Sequence, residues 1–130
     1  MRFSPQTTVV STALTAVLAA VAVLGVFTSA GSVQSTQVVP LEFAHQRGAY
    51  AWPDETVQAL IKDPDNTILL SQTDINERKG RGPLEWLPPS AQCQYIGRFM
   101  TLIKRYGLET DPGEMTTLAA SRQRCATQFQ

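Results

Sequence analysis

The sequence has little charge, one histidine and two cysteines. Only 17% of its 130 residues are charged, and eleven basic side chains balance eleven acidic ones. An ordinary soluble protein has about 25% charged residues. The zero net charge argues against a general polyanion-binding protein, which usually carries a basic excess. The length allows one modest domain and excludes a large multidomain enzyme and a polytopic transporter.

The first 30 residues have even less charge, because Arg2 is their only charged side chain. Residues 9–27 form an apolar run of 19 residues. Such a run is long for a signal peptide and just long enough to span a bilayer as a helix. We therefore expect residues 1–30 to form one hydrophobic helix, either a cleaved signal peptide or a single transmembrane anchor. In both cases residues 31–130 are exported, either secreted or anchored outside the cytoplasmic membrane.

The two cysteines, Cys93 and Cys125, lie in the expected exported part without a Cys-x-x-Cys motif or a nearby histidine. A redox pair or a metal site is therefore not indicated. An even number of cysteines in an oxidising compartment favours a disulfide instead.

The same region predicts two helices. Apolar residues at three-four spacing predict a helix capped by Ser90 and ended by Gly107, and Asp111-Pro112-Gly113-Glu114 predicts the cap and first turn of a second. The short turn between them predicts an antiparallel hairpin over residues 90–130, with the two cysteines meeting at its open end.

Shorter elements are expected between the leader and the hairpin. Local patterns predict a strand at 37–41, a helix from Pro53-Asp54 to Asp63-Pro64, a buried strand at 66–70 and a short helix from Ser71 or Thr73 to Lys79. Trp86 and Leu87, in a proline-bounded connector, are expected to fill the core. The predicted class is α+β.

Several motifs of this region together resemble a known family. They are residues 33–41 (VQSTQVVPL), Gly48-Ala49-Tyr50, Asp65-Asn66, Asn76-Glu77-Arg78-Lys79-Gly80 and Gly82-Pro83-Leu84-Glu85-Trp86-Leu87-Pro88. The chain resembles exported actinobacterial HNH-type endonucleases, whose domain is similar to the C-terminal domain of the GmrSD type IV restriction enzymes. The resemblance implies a small ββα-metal core over residues 31–89, followed by the hairpin. Relatives carry an additional segment before the first strand, so the chain resembles a truncated member.

The resemblance also exposes a missing catalytic pair. Such enzymes hydrolyse a phosphodiester with one divalent metal ion and a histidine base. Their first strand reads Asp-His-Val-Val-Pro-Leu, with the aspartate as metal ligand. Thr36 and Gln37 stand at those two positions here. Gln37 has no titratable proton near neutral pH, and Thr36 is a weak ligand for a hard cation. A divalent metal, Mg²⁺ or Mn²⁺, is therefore implied only if the protein is active.

Three other polar residues are candidates. The resemblance places Asn76 at the helix metal ligand and Asn66 at the loop asparagine. His45, the single histidine, is a candidate substitute base. Each also has a plainer interpretation, namely a helix-surface residue for Asn76, a turn residue for Asn66 and a solvent-facing side chain for His45.

Between Arg78 and Arg105 the sequence has six cations and one acid. Arg78, Lys79 and Arg81 are the candidate phosphate contacts, and such contacts would make binding salt-sensitive. The alternatives are a solvated face or attraction to anionic lipid headgroups.

The expected function is that of an exported or membrane-anchored HNH endonuclease-family protein that is catalytically degenerate and acts as a binding or accessory domain. The alternative is an active divalent-metal-dependent endonuclease. The implied partners are nucleic acid, a protein of a membrane-associated assembly, and the membrane itself through residues 9–27 if these are not cleaved.

Overall fold

The structure, a computed structural model, describes residues 32–128. The expected hydrophobic helix at residues 1–30 lies outside this range. None of the helices within it has the length and apolar character needed to cross a membrane.

The described chain is a mixed α+β fold, as predicted. It contains two strands and five α-helices, with short 3₁₀ turns at Ala49–Ala51 and Pro64–Asn66. In chain order the elements are β1 (Val33–Gln37), α1 (Leu41–Gln46), α2 (Asp54–Lys62), β2 (Thr67–Ser71), α3 (Gln72–Arg78), α4 (Gln92–Tyr106) and α5 (Glu114–Thr127).

The two strands form an antiparallel pair in which Val33 lies opposite Ser71 and Gln37 opposite Thr67. The predicted strand at 37–41 is wrong, because β1 ends at Gln37 and Pro40 then caps α1. The strand at 66–70 is placed correctly to within one residue, but it is only half-buried. Leu70 is 5% exposed and Leu69 is 68% exposed, because neighbouring side chains of a strand point to opposite faces of the sheet.

The two central helices agree with the sequence prediction. Helix α2 spans Asp54–Lys62, and helix α3 begins after Ser71, whose side chain accepts a hydrogen bond from the backbone N–H of Asp74 at 3.0 Å. Lys79 ends α3 in the left-handed conformation, with φ of 52°.

The hairpin of α4 and α5 is confirmed, but both predicted caps are wrong. Ala91 caps α4 instead of Ser90, and Gly113 caps α5, which begins at Glu114. The carboxylate of Asp111 instead accepts a hydrogen bond from Arg47. Gly107 ends α4 as expected.

The predicted disulfide is present. Cys93, near the start of α4, is bonded to Cys125, near the end of α5, and their Cα atoms are 5.5 Å apart. The bond closes the open end of the hairpin.

Helix α4 supplies the centre of the core. Its buried face, Tyr95, Ile96, Phe99, Leu102 and Ile103, packs with buried residues of the other elements, including Val38, Val39, Phe43, Leu60 and Leu118. Trp86 and Leu87 are partly buried at the core's edge. Gly82 allows the connector to approach Phe43 closely, since a Cβ there would lie 2.7 Å from the ring.

Candidate functional site

The end of β1 is joined to the end of α3 by one buried arginine. Arg78, the last residue of α3, is 3% exposed. Its Nη1 donates to the carbonyl oxygen of Gln37 at 2.5 Å, and its Nη2 donates to Oγ1 of Thr36 at 3.2 Å. Nη1 also lies 3.4 Å from the hydroxyl of Tyr95. The guanidinium thus contacts the side chain of Thr36 and the backbone of Gln37, the two residues at the positions that the resemblance assigns to the catalytic pair.

The positive charge of Arg78 has no negative partner within residues 32–128. Its hydrogen-bond acceptors are a carbonyl and two hydroxyl oxygens, and its Nε has no hydrogen-bond partner among the described residues. Burial raises the pKa of the Tyr95 phenol, although the hydrogen bond and charge of Arg78 act in the opposite direction. Tyr95 is therefore neutral at pH 7, and it donates to the carbonyl of Val38 at 3.1 Å.

This arrangement does not fit a divalent metal ion. Mg²⁺ and Mn²⁺ prefer carboxylate and other oxygen ligands. Here Oγ1 of Thr36 accepts from a cation instead, and Oδ1 of the exposed Asn76 accepts from Nε2 of Gln72 at 2.9 Å. No group of three or more His, Cys, Asp or Glu side chains in the described range could hold a metal.

The side chain of Asn66 has a structural role, because it links two backbone segments. It is fully buried and belongs to the turn at Pro64–Asn66, which agrees with its interpretation as a turn residue. Its Oδ1 accepts from the backbone N–H of Val39 at 2.7 Å, and its Nδ2 donates to the carbonyl of Leu60 at 3.0 Å. The side chain joins the segment after β1 to the end of α2.

His45 lies on the exposed face of α1, and its ring centroid is 6.1 Å from that of Tyr50. The groove next to it is lined by Leu41, Glu42, His45 and Gln46. His45 therefore does not lie next to Asn76, which lines a different groove.

Asn76 lines an open groove beside helix α3, with a volume of about 450 Å³. We call this the α3 groove; its lining residues are Thr73, Asn76, Glu77, Lys79, Arg81 and Trp86. Two of the predicted phosphate contacts, Lys79 and Arg81, are thus brought together. Trp86 was not expected here, because its place between prolines suggested a core residue. A tryptophan next to a basic segment was the only sequence signal for it.

The two cations of the α3 groove are held differently. Lys79 is exposed at the end of α3. Arg81 donates through Nε to the carbonyl of Arg78 at 3.1 Å and through Nη2 to the carbonyl of Glu77 at 2.6 Å. Arg81 therefore satisfies carbonyl groups that the end of a helix leaves free. Arg78 lies beneath this surface.

The six cations between Arg78 and Arg105 do not form one basic surface. Arg105 pairs with Asp63 and Asp65 at 2.8 and 2.9 Å, and Arg98 donates to the carbonyl of Thr67. Within the described range Arg98 and Lys104 form no salt bridge, like the cations at the end of α3, so the unpaired positive charge is spread along this segment.

No protein-family model, no curated protein and no solved structure matches this chain. The HNH resemblance therefore rests on the sequence motifs alone.

Proposed function

We propose that this protein is an exported or membrane-anchored member of the HNH endonuclease family that has lost catalytic activity and acts as a binding or accessory domain. One observation carries the loss of activity. The guanidinium of Arg78 is hydrogen-bonded to Oγ1 of Thr36, in the place of the metal ligand, and to the backbone carbonyl of Gln37, whose side chain stands in the place of the base and cannot accept a proton near neutral pH.

The order of elements supports the family assignment. Two antiparallel strands, β1 and β2, are followed directly by α3, which is the ββα order that the resemblance implies. Thr36 and Gln37 lie at the end of β1, and Asn76 lies on α3. Helices α1 and α2 are inserted between the two strands.

Electrostatics supports the loss of metal-dependent chemistry. Two unit positive charges 4 Å apart repel by about 4 kcal/mol at an effective dielectric constant of about 20. A divalent ion close to Arg78 would meet at least this repulsion, and Thr36 and Gln37 provide no carboxylate to offset it.

Export is supported by the apolar run at residues 9–27 and by the disulfide between Cys93 and Cys125. Disulfides persist in oxidising compartments and are rare in the cytosol. The partners of such a domain are nucleic acid or a protein of a membrane-associated assembly.

The proposal is tested by supercoiled-plasmid nicking with Mg²⁺ or Mn²⁺. The full chain in neutral detergent is compared with Thr36→Asp/Gln37→His and with the same pair plus Arg78→Gln. We expect nicking only by the triple variant, because an aspartate at position 36 would pair with Arg78 while that arginine remains. Adding Asn76→Ala to the triple variant is the control and should abolish nicking.

Metal-dependent nicking by the natural chain, abolished by Asn76→Ala, would show that the protein is an active endonuclease. A further loss with His45→Ala would then identify the base. An inactive triple variant would contradict the assignment of this scaffold to the HNH family.

A further inference from the structure

We propose that the α3 groove binds a segment of single-stranded nucleic acid, with one base stacked on Trp86 and the flanking phosphates contacted by Lys79 and Arg81. The inference rests on the proposed function, since a domain without the catalytic pair acts by binding. It goes further in naming the groove, its aromatic contact and the strandedness of the ligand.

Trp86 is a fixed aromatic surface. Its ring lies 6.0 Å from the ring of Tyr95 in a T-shaped arrangement, and the guanidinium of Arg78 lies 5.9 Å from its centroid. The backbone N–H groups of Glu85 and Trp86 both donate to the carbonyl of Gly82 at 3.1 Å. The side chain is therefore held in place before a ligand arrives, and stacking on it requires little ordering.

Two cations line the groove beside this ring, Lys79 and Arg81, together with one acid, Glu77. A second acid is near, because a Cβ at Gly80 would lie 3.4 Å from Oε2 of Glu42. Phosphate is therefore attracted by the two cationic side chains themselves and not by an excess of positive charge in the region. Such contacts weaken as salt is added.

An aromatic side chain between cations is the arrangement that proteins use for single strands, whose unpaired bases offer free faces for stacking. A regular duplex offers no such face, because its bases stack on one another. A lipid surface is also a poorer fit, because Trp86 is half-buried in a groove, whereas membrane-interface tryptophans sit among the headgroups. Asn76 and Thr73 add polar groups to the groove wall.

The α3 groove does not include Thr36 or Gln37. A strand bound there lies beside the place of the lost catalytic pair. Binding can therefore persist although the groups for hydrolysis are absent.

The test is fluorescence anisotropy with a labelled 12-nucleotide oligothymidylate, using the full chain in neutral detergent. We expect Trp86→Leu to weaken binding about tenfold, the effect typical of losing one stacked base. We expect Lys79→Asn to weaken it several-fold and to reduce the slope of log affinity against log salt by about 0.7. Asparagine tolerates the left-handed conformation of position 79.

The matched controls are Trp52→Leu and Lys62→Asn, which change the same residue types outside the groove and should leave affinity unchanged. Thermal melts identify any variant that fails to fold. Because Lys79 is exposed, Lys79→Asn keeps the test decisive if Trp86→Leu unfolds the chain.

Three results would overturn the proposal. The first is no binding of the oligonucleotide, and the second is equal affinity for the matching duplex. The third is a pattern that would indicate a lipid-headgroup site. In it, Lys79→Asn weakens binding to the oligonucleotide and to phosphatidylglycerol vesicles equally, and Trp86→Leu changes neither affinity. Loss of the groove proposal is distinguishable from loss of the proposed function, because the proposed function is decided by plasmid nicking, of the natural chain and of the triple variant, and not by oligonucleotide binding.

Discussion

Two arginines join distant parts of the described chain, and their surroundings differ. Arg47, just after α1, donates to both carboxylate oxygens of Glu114, at 3.1 and 2.8 Å, and to Asp111 at 3.1 Å. It also lies 4.5 Å from the centroid of the Phe43 ring. Arg78 is more deeply buried, and its hydrogen-bond acceptors in the described range are carbonyl and hydroxyl oxygens.

The difference separates an architectural contact from a candidate functional one. The charge of Arg47 is compensated, so its role in joining α1 to the turn before α5 explains it completely. The charge of Arg78 is buried without a carboxylate, which is unfavourable for folding. Locally unfavourable arrangements, such as a buried unpaired charge, are expected at functional sites. The comparison therefore directs attention to the end of α3 and not to the hairpin turn.

The largest effect is expected from removing the covalent link of the hairpin. Cys93→Ser/Cys125→Ser opens a link between residues 32 apart in sequence, and the chain-entropy model gives a loss of about 3–4 kcal/mol in the free energy of unfolding. Urea unfolding measures it, and the natural chain in dithiothreitol should reproduce the value. A loss below about 1 kcal/mol would show that Arg47 and core packing alone hold α5.

The two arginines themselves give the next prediction. Arg47→Met leaves Glu114 buried without its partner and should lower the free energy of unfolding by about 3 kcal/mol. Arg78→Met loses hydrogen bonds but also removes a buried uncompensated charge, so a net loss of about 1 kcal/mol is expected.

Both values come from urea unfolding. The control is Arg47→Met/Glu114→Gln, which should recover part of the loss, because the unpaired carboxylate is gone. A larger loss for Arg78→Met than for Arg47→Met would reverse the comparison.

The smallest effect is expected at a third, more exposed arginine, Arg105, which pairs with Asp63. Burial alone would raise the pKa of Asp63, but hydrogen bonds from Tyr106, Arg105 and the N–H of Asp65 outweigh it and hold the pKa below its ordinary value of 3.8. A carboxyl whose pKa is lower in the folded state stabilises the protein above its ordinary pKa. That stability is lost as pH falls through the lowered value.

Unfolding free energies of the natural chain and Asp63→Asn should therefore differ at pH 7 and converge as the pH falls below about 4. Asp54→Asn, on the first turn of the same helix α2, is the control. A pH-independent difference between the natural chain and Asp63→Asn would contradict the assigned role of Asp63.

The elements that the sequence predicted correctly have local signals. Proline and aspartate at the ends of α2, the Ser71 cap of α3 and the three-four spacing of α4 each act within a few residues. Helix α1 was missed because it has only six residues, and its position depends on the burial of Phe43 and Ala44. The cap of α5 was misplaced by two residues, and the carboxylate of Asp111 accepts from Arg47, which is 64 residues away.

The candidate site was predictable only in part. The motif around Asn76, Lys79 and Arg81 covers the segment that lines the α3 groove. Nothing local, however, shows that Arg78 turns inward, because its acceptors Thr36 and Gln37 lie 42 and 41 residues earlier in the chain. The position of Trp86 likewise depends on packing against Tyr95 and Arg78.

Helix α5 has consequences for how the protein matures. Of its residues only Glu114 and Leu118 are buried. Apolar packing therefore contributes little to holding α5 against α4. Arg47 fixes its first turn and Cys125 lies near its other end. Without the disulfide, α5 depends on these few contacts, so we expect reduction to expose its backbone to a protease more often. Formation of the bond should therefore increase the resistance of this part of the described chain to proteolysis.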